Sequence, residues 1–317
     1  MKKWVEAFAF RPVSSMQSPT ALRAGAGGVG RTNRPNGSLA NGPPQGRTST
    51  RPVWRVGEID FASVDKRHRS DTTLFYLLAG ASFVECGSEL YTRNLLTYYR
   101  DDPSIADWLS NVWEQEEMQH GAALRAYVLA VWPEFDWHEA YRRFFAEYSQ
   151  AASPDAFEAT PHLELAARCM IETGTTSLYR MLHEYAQEPV LRKVLAHIRD
   201  DEVNHYKHFL QYFRVGQAAE GPRRLKVVWA IGRRVRESRS DDAWIAFRHA
   251  FEVTNPGCAC RRSDFDQWQT QCQAIVRRTF PFRTAADMLV APLALPVLLR
   301  RLARRAAELA LRRVLLA

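Results

Sequence analysis

A chain of 317 residues can bury a sizeable core, and a hydrophobic content of 46% is ordinary for a water-soluble protein. No window approaches the roughly 18 uninterrupted apolar residues of a membrane-spanning helix, since the longest apolar stretch, 289–299, is much shorter and contains two prolines. The net charge of +8 belongs to the C-terminal third: the stretch 222–317 holds 19 Lys and Arg against 8 Asp and Glu, a balance of +11 that leaves −3 for the chain before it.

The cysteines and the N-terminus bear on the compartment. Five cysteines, an odd number, do not describe a disulfide framework. The opening MKKWVEAFAF reaches polar residues and proline before an apolar signal region develops, so we expect a cytoplasmic protein that is not exported. A soft-metal or redox site at Cys258, Cys260 and Cys272 is disfavoured because no fourth ligand at zinc-finger spacing accompanies them.

Residues 1–55 are predicted to form a disordered, basic arm. Between residues 12 and 52 the chain is rich in Gly, Pro, Ser, Thr, Asn and Arg, and its scattered apolar residues cannot bury enough surface to offset the entropy of ordering. An alternative function for this arm is a tether to nucleic acid or to a membrane.

Long helical periodicity begins near Asp71. Residues at steps of three or four share one face of a first helix: Leu74, Leu78, Ala81, Glu85, Ser88, Thr92 and Leu95. A second helix is predicted to begin near Pro103, a residue suited to a first turn, and to end before Pro133. Its face consists of Leu109, Trp113, Glu117, His120, Leu124 and Val128.

Two further long helices follow a crossover that holds a short helix over residues 137–148. The third helix aligns Leu165, Cys169, Glu172, Thr175 or Thr176, Tyr179 and Leu182. After a break at Pro189, the fourth helix aligns Val194, Ile198, Glu202, His205, Phe209 and Tyr212. Because no alternating apolar and polar run is long enough for a sheet, the predicted class is all-α, with a four-helix bundle in residues 56–217 and a basic helical extension in residues 218–317.

Each of the four apolar faces carries a carboxylate near its middle: Glu85, Glu117, Glu172 and Glu202. An ionised carboxylate in such a place is very unfavourable unless it is paired or binds a metal. A metal-free scaffold with buried ion pairs would need inward-facing Lys or Arg, and these faces contain none. The sequence therefore favours a metal site.

Histidines complete this predicted ligand set. In WEQEEMQH and RDDEVNH, His120 and His205 follow Glu117 and Glu202 by three residues, so both side chains of a pair can reach one ion. Four carboxylates and two imidazoles suit iron or manganese better than thiolate-loving metals. The predicted ligands are Glu85, Glu117, His120, Glu172, Glu202 and His205.

The intervals between these carboxylates fit two antiparallel helical hairpins. The separation of Glu85 from Glu117 nearly equals that of Glu172 from Glu202, and each suits two long helices with their ligands near the middle. The interval from Glu117 to Glu172 is much longer. It is enough for a connection that runs the length of the bundle, as in ferritin-like folds.

Residues 71–213 resemble the ferritin-like di-iron carboxylate superfamily, and look most like the soluble acyl carrier protein desaturases. The motif ECGSELY places Tyr91 six residues after Glu85, and ETGT places Thr175 three residues after Glu172. In DDEVNH, Asp201 directly precedes the fourth carboxylate, where that family has an aspartate bound to a metal-ligating His of the other hairpin.

The resemblance implies a ferritin-like bundle with two iron ions, manganese remaining open. It also implies O2 as co-substrate, an external ferredoxin-like electron donor, a homodimer, and an apolar substrate, such as a fatty acyl chain on acyl carrier protein. Thr175 and Asp201 are the candidate catalytic residues: Thr175 beside the oxygen-binding face and Asp201 orienting His120. Alternatives are a ferritin-like iron-binding or ferroxidase protein and a di-iron hydroxylase of a non-lipid substrate such as a transfer RNA nucleoside.

Some site residues have competing interpretations. Glu89 lies one turn beyond Glu85 and is the alternative ligand, although the flanks of Glu85 are more apolar. Glu116 points about 100° away from the ligand face of an ideal helix and is predicted to be solvated. Thr175 and Thr176 are alternatives for the catalytic hydroxyl, and either could instead bond back to a carbonyl one turn earlier.

Helices are also predicted at residues 226–236 and 244–251, and the tail 298–316 is amphipathic. Its polar stripe is Arg301, Arg305, Glu308 and Arg312, and its apolar stripe is Leu298, Leu302, Leu309 and Leu316. Such a cationic helix could make a peripheral contact with an anionic membrane or dock an acidic protein. We expect instead that its apolar face packs on the protein's own bundle or on a second subunit.

Overall fold

The computed structural model describes residues 53–151, 157–220, 224–237 and 242–316. Its regular elements are helices, and the described residues contain no β-strand, which confirms the all-α class. Most of the predicted N-terminal arm, residues 1–52, lies outside the described residues. Across the described ranges, no helix combines the length and the apolarity needed to cross a bilayer.

The predicted first helix is two helices, α1 (Thr72–Cys86) and α2 (Ser88–Tyr98). The Asp71 carboxylate caps α1 by accepting a hydrogen bond from the Leu74 N–H at 2.9 Å. At Gly87 the N–H is shared between the carbonyls three and four residues back, which tightens the backbone there. The apolar face nevertheless continues across this break, because all seven predicted face residues are buried.

The predicted second helix also has an unforeseen feature. It begins as α3 (Pro103–Trp108), passes through a π-helical turn (Leu109–Trp113) and continues as α4 (Glu114–Val131). Proline occupies the first turn, as predicted, and the whole predicted face is buried. Extra residues of π-helix inside a long helix shift the register of one turn and are frequent near functional sites.

The crossover helix α5 (Trp137–Ala151) leads to the second long hairpin, α6 (Pro161–Tyr185) and α7 (Pro189–Glu220). The Thr160 hydroxyl caps α6 by accepting from the Leu163 N–H at 3.3 Å. Helix α1 packs along α4, α6 packs along α7, and α4 also contacts α7. These four helices hold all six predicted metal ligands.

The C-terminal extension is helical and packs on the preceding helices. Its elements are α8 (Arg224–Glu237), α9 (Asp242–Thr254), α10 (Arg262–Thr279), α11 (Phe282–Val290) and α12 (Val297–Leu316). Helix α9 contacts α1 and α5, while α8, α10 and α11 contact α6. The extension therefore contributes to the same core as the long hairpins.

Part of the expectation about α12 is wrong. The stripe of Leu298, Leu302 and Leu309 does not cover the protein's own bundle, because these side chains are 73%, 62% and 63% exposed. The helix instead packs through Leu311 and Leu315, which are buried against α10 and α11.

Buried apolar side chains form two cores, with the predicted ligands between them. The first core includes Leu78, Leu124, Leu178 and Ile198, and the second core includes Leu95, Trp113, Cys169 and Phe209. From the π-helical turn into α4 the chain passes from Trp113 to Leu124 across Glu117, and on α6 it passes from Cys169 to Leu178 across Glu172. A layer of titratable groups thus separates the two cores.

Candidate metal centre

The six predicted ligands meet in this layer as two overlapping groups. One group is Glu85, Glu117, His120 and Glu202, and the other is Glu117, Glu172, Glu202 and His205. Within each group the potential ligand atoms lie within 4.8 Å of one another, and all the residues are buried. Each group could hold a metal ion, and both use Glu117 and Glu202.

A close approach of α1 to α4 brings the first group together. A Cβ atom built on Gly121 would lie 2.6 Å from the Cys86 Sγ and 2.7 Å from the Cys86 backbone nitrogen, so a larger residue does not fit. Gly121 follows His120 and Cys86 follows Glu85. This contact therefore places the Glu85 Oε2 atom 3.9 Å from the His120 Nδ1 atom.

The Nδ1 atoms of both histidines face the carboxylates. His120 Nδ1 lies 3.5 Å from Glu202 Oε1, and His205 Nδ1 lies 3.2 Å from Glu117 Oε1 and 3.8 Å from Glu172 Oε2. Within the described chain, both Nδ1 atoms and Glu202 Oε1 are buried without a hydrogen-bond partner. Such atoms are costly to bury, and a metal ion in each group would satisfy all three.

The Nε2 atoms point away from the cluster to a second pair of carboxylates. His120 Nε2 is 3.0 Å from Asp201 Oδ2, and His205 Nε2 is 2.8 Å from Glu116 Oε2. An imidazole that donates through Nε2 keeps the lone pair of Nδ1 for a metal. The prediction that Glu116 is merely solvated is therefore wrong: the fourth long helix carries His205 to it.

Trp54, near the end of the predicted arm, is a site residue that sequence reasoning missed. Its indole Nε1–H donates to Asp201 Oδ2 at 2.7 Å, and its ring stacks on His197 with centroids 4.9 Å apart. Gln119 donates to its backbone carbonyl at 3.0 Å. The side chain is only 5% exposed, so Trp54 belongs to the core rather than to a tether.

Two hydroxyl groups hold carboxylates of the cluster. Thr175 Oγ1 donates to Glu202 Oε2 at 2.7 Å and also lies 3.3 Å from the Glu172 carbonyl one turn earlier. The Tyr179 hydroxyl donates to Glu85 Oε1. Thr175 is thus at the cluster, and Tyr179 adds a contact that the sequence pattern placed only on the buried face.

The structure also separates Glu85 from its alternative. The Glu89 side chain is 65% exposed and pairs with Arg93 at 3.0 Å, whereas Glu85 is buried in the cluster. Tyr91, part of the motif that carries the resemblance, places its ring 4.8 Å from the Arg168 guanidinium.

The pKa shifts of the cluster residues reflect an excess of buried negative charge. Burial raises the pKa of Glu85 and of Glu172, and neighbouring carboxylates raise both further. Burial opposes ionisation of Glu202 as well, but the close approach and charge of the two imidazoles outweigh it and lower its pKa. For His120 and His205 burial lowers the pKa, and the carboxylates around each ring raise it well above its usual value. The raised pKa values of Glu85, Glu172 and both histidines favour their protonated forms, which reduces the negative charge of the cluster.

A second buried charge cluster provides a contrast. Glu164 binds Arg168 at 2.9 Å and Arg234 at 2.9 Å, and Glu158 binds Arg233 at 2.7 Å. Arg234 joins α8 to α6, and Arg233 joins α8 to the segment that precedes α6. All three guanidinium groups neutralise the carboxylates directly. In the described ranges, the ion pairs of the six-residue cluster are instead formed by its own two histidines. Pairing with arginine therefore explains the burial of Glu158 and Glu164, but it does not explain the burial of the carboxylates in the six-residue cluster.

The cysteines are not part of such a cluster. Cys258 is exposed, Cys260 is half-buried and Cys272 is buried in the first core. In the chain as described, neither group that could hold a metal includes a cysteine.

One cavity of about 640 Å³ lies at the end of α6, away from the ligands. Its lining includes Arg67, Asp71, Glu184, Arg192 and Arg278 and none of the six cluster residues. Its charged lining does not suit an acyl chain.

No protein-family model matches the chain, and comparisons with curated proteins and with solved structures likewise find no match. Four carboxylates and two oriented imidazoles form a donor set that fits a hard or borderline metal ion, and an apolar core surrounds it.

Proposed function

We propose that this protein is an O2-dependent non-haem di-iron oxidoreductase of the desaturase or hydroxylase type, and that its substrate is a fatty acyl chain or another lipid-like molecule. The observation that carries the proposal is the sharing of Glu117 and Glu202 by two four-residue groups, each of which also has a carboxylate and an imidazole of its own.

This pattern suits two ions with two bridging carboxylates. Glu85 and His120 would hold one ion, Glu172 and His205 would hold the other, and Glu117 and Glu202 would contact both. Two divalent cations bring four positive charges, which equal the charge of four ionised carboxylates beside neutral imidazoles. The mixed oxygen and nitrogen set favours iron, and manganese would accept the same ligands.

The protein's own residues orient this donor set. Bound iron would supply activation of O2 and oxidation of a C–H bond, with two electrons from an external donor such as a ferredoxin. Asp201 and Glu116 hold the imidazoles with Nδ1 inward, and Thr175 fixes the Glu202 carboxylate, which the two groups share, through a 2.7 Å hydrogen bond. Tyr179 does the same for Glu85.

The surroundings of the cluster favour an apolar substrate. The rings of Trp108 and Trp113 lie 6.1 Å and 6.2 Å from the His205 ring, and Phe209 packs against both. This aromatic wall is part of the second core and keeps water from the His205 side. A hydrocarbon chain would find compatible surfaces there, whereas a charged substrate would be desolvated without partners.

Metal loading tests the ligand assignment. Anaerobic incubation with iron(II), followed by desalting and metal analysis, should give about two irons per chain, as expected for a two-metal site. Glu117→Ala and Glu202→Ala should abolish loading, and Glu85→Ala should reduce it. Glu89→Ala is the matched control, one helical turn away, and should load normally. Full loading in both bridging variants would show that the metal binds elsewhere.

A turnover assay tests the reaction class. The iron-loaded chain, supplied with a ferredoxin system and O2, should oxidise a saturated acyl chain offered on acyl carrier protein or in phospholipid, as detected by mass spectrometry of the released fatty acids. Oxidation of iron(II) in large excess over two per chain, with storage of the product and no change in the lipids, would instead identify a ferritin-like iron protein. A chain that loads two irons but consumes no O2 would contradict the proposal.

A further inference from the structure

Helix α12 presents leucines to solvent. Leu298, Leu302 and Leu309 lie at steps of four and seven residues, so they share one helical face, and each is more than 60% exposed. The opposite face packs on the protein through Leu311 and Leu315. The outward leucines are therefore not needed to attach this helix to the core.

Helix α8 has a similar outward stripe. Leu225 is 81% exposed, Val228 is 49% exposed and Trp229 is 62% exposed, and these positions again share one face. Val227 and Ala230 occupy the inward face and are fully buried. A surface helix of a globular protein normally has its second face polar, so this stripe also calls for a partner.

The two stripes begin side by side. The Arg224 Nη2 atom, in the first turn of α8, lies 3.4 Å from the Ala294 carbonyl oxygen, and α8 contacts the turn Ala291–Leu293. Ala294 has a left-handed backbone, with φ at 46°, which redirects the chain into α12. The neighbouring first turn of α12 exposes further apolar side chains. We call the combined set the apolar patch: Leu225, Val228, Trp229, Val297, Leu298, Leu299 and Leu302.

Positive charge surrounds the apolar patch. Helix α12 contains six arginines and one acidic residue, Glu308, whose carboxylate pairs with Arg312 at 3.0 Å. Arg300, Arg301 and Arg305 are exposed beside the leucines, and Lys226 is exposed on α8. Long basic side chains at the edge of an apolar stripe can bind lipid headgroups while the stripe enters the acyl boundary.

We propose that the apolar patch binds the surface of an anionic lipid bilayer, with α12 and the first turns of α8 lying in the headgroup region. Leucines and a tryptophan supply the apolar insertion, and the arginines supply attraction to negative headgroups. A symmetric contact with a second copy of the chain would bring two strongly basic helices together and is electrostatically unfavourable. The inference does not depend on the proposed metal chemistry.

The second core lies between the apolar patch and the candidate metal centre. The Tyr206 hydroxyl, next in sequence to His205, donates to the Met288 carbonyl at 2.6 Å. Met288, Leu293 and Val227 belong to or pack against the second core, which also lines the His205 side of the cluster. Apolar side chains therefore connect the region beneath the patch to the candidate site.

Vesicle co-sedimentation with the full-length protein tests this surface. The probes are vesicles of phosphatidylcholine alone and vesicles that also contain phosphatidylglycerol. The protein should bind the anionic vesicles at least about tenfold more tightly, since each basic residue near such a surface contributes about fivefold. Leu298→Glu combined with Leu302→Glu should reduce binding by at least about tenfold, because both leucines would leave the acyl boundary.

Two controls separate this effect from unfolding and from general charge. Leu298→Ile with Leu302→Ile keeps the apolar surface and should bind as the wild type does. Arg301→Gln should weaken binding to anionic vesicles, whereas Arg142→Gln, an exposed arginine on α5, should not. Metal loading of every variant, measured separately, should stay unchanged.

Three results would overturn the proposal. The first is wild-type protein that ignores anionic vesicles. The second is a double glutamate variant that binds them as tightly as the wild type. The third is a wild-type dimer that the double glutamate substitution converts to a monomer without affecting vesicle binding, which would assign the patch to a second copy of the chain.

Discussion

Replacing Gly121 by alanine should push α1 away from α4 beside the candidate metal centre. The new Cβ would lie 2.6 Å from the Cys86 Sγ, 2.7 Å from its backbone nitrogen and 3.0 Å from its Cα. Non-bonded carbon atoms prefer separations of about 3.5–4.0 Å, so the helices must move apart by roughly 1 Å. The obstacle is mainly backbone and cannot rotate aside.

The expected cost follows from two opposing contributions. Overpacking of a close helix contact costs about 1–3 kcal/mol, while alanine gains about 0.5–1 kcal/mol over glycine inside a helix. The net loss should be at most about 2.5 kcal/mol in the free energy of unfolding, equivalent to at most about 4 °C in melting temperature for a chain of this length. Because Glu85 and His120 adjoin the two contact residues, metal loading of the candidate centre should fall as well.

Gly232 provides the matched control. It is also inside a helix, but a Cβ built there meets no atom within 4 Å. Gly232→Ala should therefore leave stability unchanged or raise it by up to about 1 kcal/mol. Urea denaturation of the metal-free proteins, followed by circular dichroism, measures both changes. A Gly121→Ala protein as stable as Gly232→Ala would refute the argument from the close approach.

Two further predictions concern the histidines. Asp201→Asn and Glu116→Gln should each weaken metal affinity roughly 10–100-fold in chelator competition, because each carboxylate orients one imidazole. The control Asp200→Asn changes an exposed neighbour that pairs with Arg199, and it should have no effect. An equal loss of affinity in this control would contradict the roles of Asp201 and Glu116. Burial, mainly, and the nearby His205 lower the pKa of His208, which stacks on Trp108, to about 4. Neutral His208 therefore contributes stability above its unfolded pKa of about 6.5 that is lost as pH falls towards 4, a loss of about 1–2 kcal/mol after allowance for solvent screening. Urea titrations at neutral and acidic pH should show that His208→Gln loses less stability on acidification than the wild type. Equal losses in the wild type and the variant would contradict this role of His208.

Much of the helical framework could be predicted because burial follows the helical repeat. All seven positions of the first predicted face are buried, even though the helix breaks at Gly87, because a one-residue break hardly rotates the face. The π-helical turn Leu109–Trp113 could not be predicted, since the same four-residue spacing of Leu109, Trp113 and Glu117 suits an uninterrupted α-helix.

The outer carboxylates show where single-helix reasoning fails. Glu116 points away from the ligand face of its own helix, yet a histidine from another hairpin reaches it. One signal was present: an acidic residue directly precedes the ligand glutamate in both Glu116-Glu117 and Asp201-Glu202. Trp54 was missed for a different reason, because the polar composition of the preceding stretch says nothing about one aromatic residue at its edge.

The layer between the two cores has a consequence for how the chain stays folded. Its ligands come from four helices that lie far apart in the sequence, so an ion bound there would be a crosslink between distant parts of the chain. Because it can form only after both hairpins have come together, it would stabilise the folded chain and not the unfolded one. A metal ion bound there would couple the supply of that metal to the stability of the folded protein.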